Sequence, residues 1–350
     1  MLIEKLKKES PWIDNDNRIW LSSSIAFFRN IEKFNFPGKL STEKLKGILS
    51  LISEEIFKLK ELKQATLFRG EVLTPIEKEF LAEHFLSTEN LHQAQSGEAF
   101  IIDNGGEFLA TLNIHNHLHL HLSEHKGDIE STWNRLVKME TTIGKALNYA
   151  FSQRFGFLTA DPSNAGTGME VTVYLQLPAL VHAEQIDEAL EKYANDTVVI
   201  TGMQGSPTEL IGDILMVRNN YSIGVSEEKI LTSIRNFTTK IMLEENALRS
   251  KIKKEDDADI KDRISRAYGI LIHSYQLEPI EALNALSLLK LGIHFDWVKG
   301  IDTKEVNRLF FNCRRAHLLD ACGQQNAAEV LPHKRAEFVH EALKKVSLAI

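Results

Sequence analysis

Residues Gly156–Leu180 read Gly-Phe-Leu-Thr-Ala-Asp-Pro-Ser-Asn-Ala-Gly-Thr-Gly-Met-Glu-Val-Thr-Val-Tyr-Leu-Gln-Leu-Pro-Ala-Leu. A glycine-rich loop is followed in this stretch by residues 170–180, whose β-branched and apolar side chains predict a strand. Apolar periodicity places further elements around it. Helices are predicted over Thr42–Leu62, 75–86, 132–153, His182–Ala194 and Ser226–Ile252, and strands over Ala99–Ile102, Glu107–Leu122, Thr197–Gly202 and Ile214–Asn220. The predicted fold class is therefore α+β, with an antiparallel β-sheet flanked by helices.

A second region follows a run of charged residues at Lys251–Arg263, which is typical of a solvated helix face or a hinge. Residues 262–349 show helical periodicity almost throughout. We take residues 1–255 as one domain, with a small helical part over about 1–90 and the antiparallel sheet over about 91–255. Residues 256–350 are then a helical C-terminal domain.

The composition is that of an ordinary globular protein, with 43% hydrophobic and 25% charged residues in a chain of 350. A net charge of -7 gives no global attraction for nucleic acid. No apolar run is long enough to predict a membrane span, and Met1–Trp12 lacks the pattern of a secretory signal. The two cysteines, Cys313 and Cys322, fit neither a zinc site nor a redox pair. These observations favour a cytoplasmic protein.

The stretch 156–180 resembles the block G-[YF]-L-T-x-C-P-[TS]-N-x-G-T-G-[LM]-R-x-S-V-x-x-x-L-P-A-L of the ATP:guanidino phosphotransferases. Other segments resemble blocks of this family in the same order: Leu21–Asn30 (L-S-S-R-I-R-L-A-R-N), Leu112–His121 (L-N-E-E-D-H-[IL]-R-I-Q) and Thr201–Gly224 (R-G-x-x-G-E-G-S-E…G…S-N…L-G). Segments Asp262–Gly269 and Leu291–Gly300 resemble the C-terminal domain of bacterial protein arginine kinases. The resemblance implies a guanidino-kinase fold followed by an all-helical C-terminal domain.

The active-site positions implied by the resemblance are degenerate. The five arginines that grip the nucleotide phosphates in the family fall at Ser24, Ala26, His119, Glu170 and Thr201. The two catalytic glutamates fall at Ile114 and His115, and the reactive cysteine falls at Asp161. What survives is Glu209, in the place of a glutamate that contacts substrate, with His117 and the glycines Gly166, Gly168, Gly202, Gly205, Gly212 and Gly224.

These substitutions remove the groups on which phosphoryl transfer depends, because the reaction relies on fixed cations around the transferring phosphate. A charged hydrogen bond is worth roughly 1.5–3 kcal/mol, so losing five guanidinium groups removes on the order of 8–15 kcal/mol of gross phosphate stabilisation. Glu170 would also repel a triphosphate. A guanidinium acceptor needs a carboxylate that orients it and takes its proton, and Ile114 can do neither. We therefore expect the standard phosphotransfer to be lost.

Four histidines, His115, His117, His119 and His121, lie at alternate positions (the histidine run). On one continuous strand they would share a face. Three interpretations remain open: a polar strand face with hydrogen-bonded imidazoles, a divalent-metal site, or a remodelled and pH-sensitive pocket for an anion or another ligand. Asp161 could pair with one of these histidines, or it could cap the turn before Pro162.

A second family site is also altered. Bacterial protein arginine kinases carry a phosphoarginine pocket in the C-terminal domain, with an Arg-Asp pair. The matching segment is Pro332–Glu337, where Arg335 matches the arginine and Ala336 replaces the aspartate. Loss of this carboxylate should weaken guanidinium recognition. The alternative is a basic helix start at the surface.

Three hypotheses follow. The first is a catalytically inactive homologue, a pseudokinase, that acts as a binding or regulatory protein and needs no cofactor. The second is an active phosphotransferase that uses ATP, magnesium and a site rebuilt from histidines and Glu209. The third is a metal-binding regulatory protein. The resemblance implies a homodimer, with dimerisation or partner binding through residues 256–350, and a zinc-finger adaptor or a Clp-type chaperone-protease as protein partner.

Overall fold

The computed structural model describes residues 2–6, 17–86, 91, 94–206, 208–323 and 328–350. Its strands are β1 (Trp20–Arg29), β2 (Thr66–Arg69), β3 (Ala99–Ile102), β4 (Phe108–Leu112), β5 (Leu118–Glu124), β6 (Phe151–Ser152), β7 (Gly156–Phe157), β8 (Met169–Gln176), β9 (Val198–Gly202), β10 (Ile214–Asn219), β11 (Val298–Lys299) and β12 (Ser347–Leu348). Its helices are α1 (Leu2–Leu6), α2 (Thr42–Lys58), α3 (Pro75–Phe85), α4 (Ile129–Leu147), α5 (Pro178–His182), α6 (Ile186–Tyr193), α7 (Glu227–Glu255), α8 (Ala258–His273), α9 (Pro279–His294), α10 (Thr303–Asn312), α11 (Arg315–Ala321) and α12 (Leu331–Leu343).

Eight strands form one antiparallel sheet in the order β2-β3-β4-β5-β1-β8-β10-β9. One face packs against α4 and α7 through alternate apolar side chains, among them Leu118, Leu120 and Leu122, each at most 1% exposed. The opposite face carries α3 at one flank and the C-terminal helices at another. The predicted α+β fold is confirmed.

The predicted strand over Glu107–Leu122 is wrong, because this segment is the hairpin β4–β5. Asn113 adopts a positive φ of 63°, and its side-chain amide donates to the carbonyls of Leu45 and Gly97, each at 2.9 Å. The chain reverses over residues 113–117, so that Leu112 pairs with Leu118. These two leucines are six positions apart, an even number, so the apolar alternation continues through the reversal and hides it.

Two predicted helical regions also contain strands. The part over 1–90 is not purely helical, because β1 lies in the middle of the sheet and β2 at its edge. In the described residues of 256–350, the only strands are the two-residue strands β11 and β12, which pair with each other, and the other elements are helices. None of the described helices has the length and apolarity needed to cross a membrane.

The C-terminal domain docks on the sheet domain through α3. The carboxylate of Glu83 accepts hydrogen bonds from the backbone amides of Ala316 and His317 at the start of α11, and it contacts His317 Nδ1 at 2.7 Å. Arg314 donates to the Glu83 carbonyl at 3.0 Å. This docking holds α3, and with it Leu86 at its C-cap, against the free face of the sheet.

Candidate functional site

A cavity of about 420 Å³ opens on the sheet face opposite α4 and α7. It is lined by side chains of β1, β5, β8 and β10 and by two loops, and its polar and charged residues include Ser24, His115, Asn116, His119, His121, Asp161, Asn164, Glu170, Thr172, Tyr174 and Arg218. Strand alternation explains the set, because every second residue of a strand points to the same face. On β8 these are Glu170, Thr172 and Tyr174.

The structure brings most of the degenerate family positions together here. Ser24, His119 and Glu170 line the cavity with His115 and Asp161. Ala26 pairs with His121 on one side and Glu170 on the other, so its side chain shares their face.

The remaining predicted site residues lie elsewhere. Thr201 lies on the edge strand β9, paired with Met216, and is not among the described residues of the cavity wall. Glu209 is exposed in the loop after β9, where its backbone amide contacts Ser206 Oγ at 3.2 Å. Ile114 packs against the apolar cluster around α3. The structure therefore does not bring Glu209 to the cavity.

The histidine run does not share one strand face, which corrects the prediction. His119 and His121 lie on β5, whereas His115 and His117 lie in the turn before it. The ring of His119 stacks on Phe28 at 4.5 Å between centroids, and Nε2 of His121 contacts Ser123 Oγ at 2.9 Å. His117 points away: its Nδ1 accepts from the Ile31 amide at 3.0 Å, so its Nε2 carries the proton donated to the Asn35 carbonyl.

No group of three or more metal-binding side chains with suitable geometry occurs in the described part of the chain. His117 is taken up by backbone hydrogen bonds. The rings of His119 and His121 meet edge to face at 6.2 Å between centroids. The side chains of His119 and His121 on β5 are buried, at 6% and 7% exposure. The imidazoles thus pack as part of the wall, which favours the polar-face interpretation and gives no support to the metal site.

Buried imidazoles should make stability fall as the pH is lowered. Burial lowers the pKa of His84 to about 3 and those of His117 and His294 to about 4. Between pH 6.5 and about 4 the unfolded chain therefore binds protons that the folded chain does not. Stability declines by up to about 1.4 kcal/mol per pH unit for each of the buried His84 and His117, and by less for the partly exposed His294, which water screens. Urea unfolding at pH 7, 6 and 5 measures this slope. His84→Gln should make it shallower, and the same change at exposed His273 should not; equal slopes would contradict the assignment.

Asp161 caps the short turn Pro162–Asn164 rather than pairing with a histidine. Its Oδ1 accepts from the Ser163 amide at 2.9 Å and from the Ser163 hydroxyl at 2.8 Å. These hydrogen bonds hold the pKa of Asp161 below its usual range. The carboxylate, at the position that the resemblance assigns to the reactive cysteine, stays ionised at the cavity wall.

Arg218 is the residue that the sequence interpretation missed. It lies on β10, beside β8, and its Nη1 is 3.6 Å from Oε2 of Glu170. Arg218-Asn219 stands where the family pattern reads Ser-Asn, so this departure was visible in the sequence. The chain has an acid at an arginine position and an arginine at a serine position, and the two side chains pair inside the cavity.

Arg29, the arginine that survives in the segment Leu21–Asn30, stabilises the fold. It is 1% exposed, and its Nε donates to Glu140 of α4 at 2.6 Å. Its Nη1 donates to the carbonyls of Phe28 and Thr167 at 2.9 and 3.0 Å. A Cβ at Gly168, whose φ is 56°, would lie 2.6 Å from this nitrogen, so glycine is required there. Arg29 is therefore not available to a phosphate.

Arg335, which the resemblance matches to a phosphoarginine pocket, is also engaged in contacts within the chain. Arg335 is 2% exposed, and it donates from Nε to the Cys313 carbonyl at 2.7 Å and from Nη1 to the Leu277 carbonyl at 2.6 Å. Ala336 is fully buried. The guanidinium thus ties α12 to the segments before α9 and after α10, and it is not a basic group at the surface.

The model of the ATP:guanido phosphotransferase C-terminal catalytic domain matches residues 47–248. The chain belongs to this family. The C-terminal domain of the protein-arginine kinase McsB matches residues 257–349, beginning just after α7. The two matches confirm the resemblance of both regions.

Curated relatives span the whole chain. A protein-arginine kinase of Chlamydia pneumoniae is 33% identical over 357 residues, covering 99% of this chain and 97% of the relative. One of Syntrophomonas wolfei is 30% identical over 353 residues, covering 98% of each. Among solved structures, a lombricine kinase superposes with a TM-score of 0.57 at 20% identity over 71% of this chain and 76% of the other. This last likeness shows the guanidino-kinase fold of the sheet domain.

Proposed function

We propose that this member of the ATP:guanido phosphotransferase family does not transfer phosphate and acts instead as a binding or regulatory protein. The observation that carries the proposal is the charge of the cavity. Among the described residues of its wall, Arg218 alone has a permanent positive charge, and it pairs with Glu170. With Asp161 included, carboxylates outnumber guanidinium groups. These residues do not fit a magnesium triphosphate, which needs several fixed cations.

The site is equally unsuited to binding the guanidinium group that would accept the phosphate. His115 is exposed in the turn before β5, and Ile114 packs into an apolar cluster. Neither can form the paired hydrogen bonds with which a carboxylate orients a guanidinium. The cavity nevertheless has a volume of about 420 Å³ and a polar wall, which suits a small ligand or a side chain of a partner. The partners implied by the resemblance, a zinc-finger adaptor or a Clp-type chaperone-protease, belong to this proposal, and so does a homodimer.

Nucleotide titration tests the proposal. Calorimetry with ATP and with ADP, each with and without Mg²⁺, should give dissociation constants weaker than about 1 mM, the upper end of ordinary KM values. Thermal unfolding with the same ligands should show no shift. Micromolar binding that is lost in Arg218→Ser would contradict the proposal, since it would mean that Arg218 serves as a phosphate ligand.

An active enzyme with a rebuilt site is the second candidate, and the observation that favours it is Arg218 beside three imidazoles in one cavity. In that case a histidine nitrogen could attack the terminal phosphate of ATP and release ADP. Incubation with labelled ATP would then leave alkali-stable, acid-labile label on the chain. His115→Ala or His119→Ala would remove it. Absence of label in the wild type leaves the binding protein as the better proposal.

A further inference from the structure

A sealed cluster of charged and amide side chains joins the sheet domain to the C-terminal helices. It consists of Gln176 at the end of β8, Glu245 and Arg249 on α7, and Lys290 on α9. All four are buried, between 0% and 8% exposed. Gln176 shares the sheet face of Glu170 but lies at the opposite end of β8, about 20 Å along the strand from Glu170.

The carboxylate in this cluster is fully engaged. Glu245 accepts from Arg249 Nε at 2.6 Å and from the amides of Ala179 and Leu180 at 3.1 and 2.9 Å. The amide group of Gln176 is engaged too, since its Nε2 donates to the Gly212 carbonyl and to Ser287 Oγ. The cluster therefore contains one negative charge, on Glu245, and this charge is already paired with Arg249. Neither Glu245 nor Gln176 supplies a second negative charge for another buried cation.

Lys290 is that second cation. Its Nζ donates to Gln176 Oε1 at 2.8 Å, its one hydrogen bond within the described part of the chain, although an ammonium group has three donors. Burial, together with the charge of Arg249, lowers the pKa of Lys290 to about 7. Two guanidinium or ammonium groups therefore share one carboxylate, and an anion would correct the imbalance.

The donors that remain converge on a small cavity. It is lined by Arg18, Arg249, Lys290, His294 and Thr303, together with Gln176 and apolar neighbours, and no carboxylate is among its described wall residues. Arg18 reaches it from the segment before β1, where its Nη1 contacts His294 Nδ1 at 2.5 Å. The cavity measures about 10 Å³, room for a single water-sized species. An oxyanion such as sulfate or phosphate is larger than this space.

We propose that this cavity binds a monatomic halide, chloride under ordinary conditions, which ties β8 and α7 to α9. The ion is held by Lys290 and Arg249 from opposite domains, and Arg18 closes the entrance. Because the unfolded chain has no such site, halide stabilises the native state by mass action. Protonated Lys290 binds the ion better than the neutral amine, so halide affinity falls as the pH rises through 7.

Thermal unfolding of the full chain in increasing sodium bromide tests the proposal, with ionic strength held constant by sodium isethionate, whose anion is too large to enter. The melting temperature should rise and saturate with bromide. Lys290→Met should weaken the apparent bromide affinity at least about tenfold, because it removes a charged hydrogen bond. The exposed control Lys299→Met should respond like the wild type. Equal melting temperatures in both salts, or an unchanged bromide response in Lys290→Met, would overturn the proposal.

Two further measurements do not depend on how well Lys290→Met folds. Arg18 is exposed, so Arg18→Gln should fold normally. Its affinity for bromide should nevertheless be several-fold lower than that of the wild type. Crystals soaked in bromide should show an anomalous peak within hydrogen-bonding distance of Lys290 Nζ. A saturating soak that leaves this position without a peak, or a melting temperature that phosphate raises as effectively as bromide, would rule out a halide site.

Discussion

Transfer of phosphate from ATP to arginine is expected to be at least about 10⁴-fold slower in this protein than in a family member with all five arginines and both glutamates. This factor corresponds to only part of the gross phosphate stabilisation that five guanidinium groups provide, because interactions in one site do not add independently. Two of the five positions, Ser24 and His119, line the cavity with a hydroxyl and a stacked imidazole. A third, Glu170, presents a carboxylate. The measurement is turnover with labelled ATP and an arginine-rich protein.

A charge reversal separates the loss of nucleotide binding from the loss of chemistry. Glu170→Arg should raise the affinity for ATP by about tenfold or more, since it replaces a repelling carboxylate with a charged donor beside Arg218. Transfer should stay absent, because neither Ile114 nor His115 can form the paired hydrogen bonds that orient a guanidinium for attack. The matched control is Glu188→Arg on the exposed side of α6, which makes the same charge change away from the cavity. Equal gains in both variants, or transfer restored by Glu170→Arg alone, would contradict this account.

The sequence predicted the architecture well because the blocks that match the family pattern contain residues that only one backbone conformation accommodates. Gly166, with a φ of 100°, has backbone atoms of Ser222 and Ile223 where a side chain would be, so the loop of residues 156–168 can be recognised from its glycines. The hairpin β4–β5 was missed for the opposite reason. An even number of residues separates Leu112 from Leu118, and a period-two pattern contains no information about such a reversal. The two asparagines in the turn, Asn113 and Asn116, were the available signal.

The side-chain pairings that the sequence did not predict depend on contacts between distant segments. Arg218 and Glu170 are ordinary charged residues until β10 and β8 are placed side by side. Arg335 was matched to a recognition pocket, yet its guanidinium binds backbone carbonyls of its own domain. The residue type at a family position therefore predicts ligand binding only when its hydrogen-bonding groups are not already used by other parts of the chain.

Removing either partner of the buried pair Arg29–Glu140 is expected to destabilise the fold by about 3–5 kcal/mol, because the other charge is left without its partner inside the protein. Both residues lie below 9% exposure, and the guanidinium lies 3.7 Å from the centroid of the Phe157 ring. Urea unfolding of Arg29→Met and Glu140→Met measures the two single effects.

The double variant Arg29→Met/Glu140→Met should be much less destabilised than the sum of the two singles, since it buries no unpaired charge. The exposed pair Arg235–Glu130, which connects α7 with the same helix α4, is the matched control. Both of its members are more than 40% exposed, so Arg235→Met should cost at most about 1 kcal/mol. If Arg29→Met cost no more than this control, Arg29 would not be holding β1 to α4, and this arginine would become a candidate phosphate ligand.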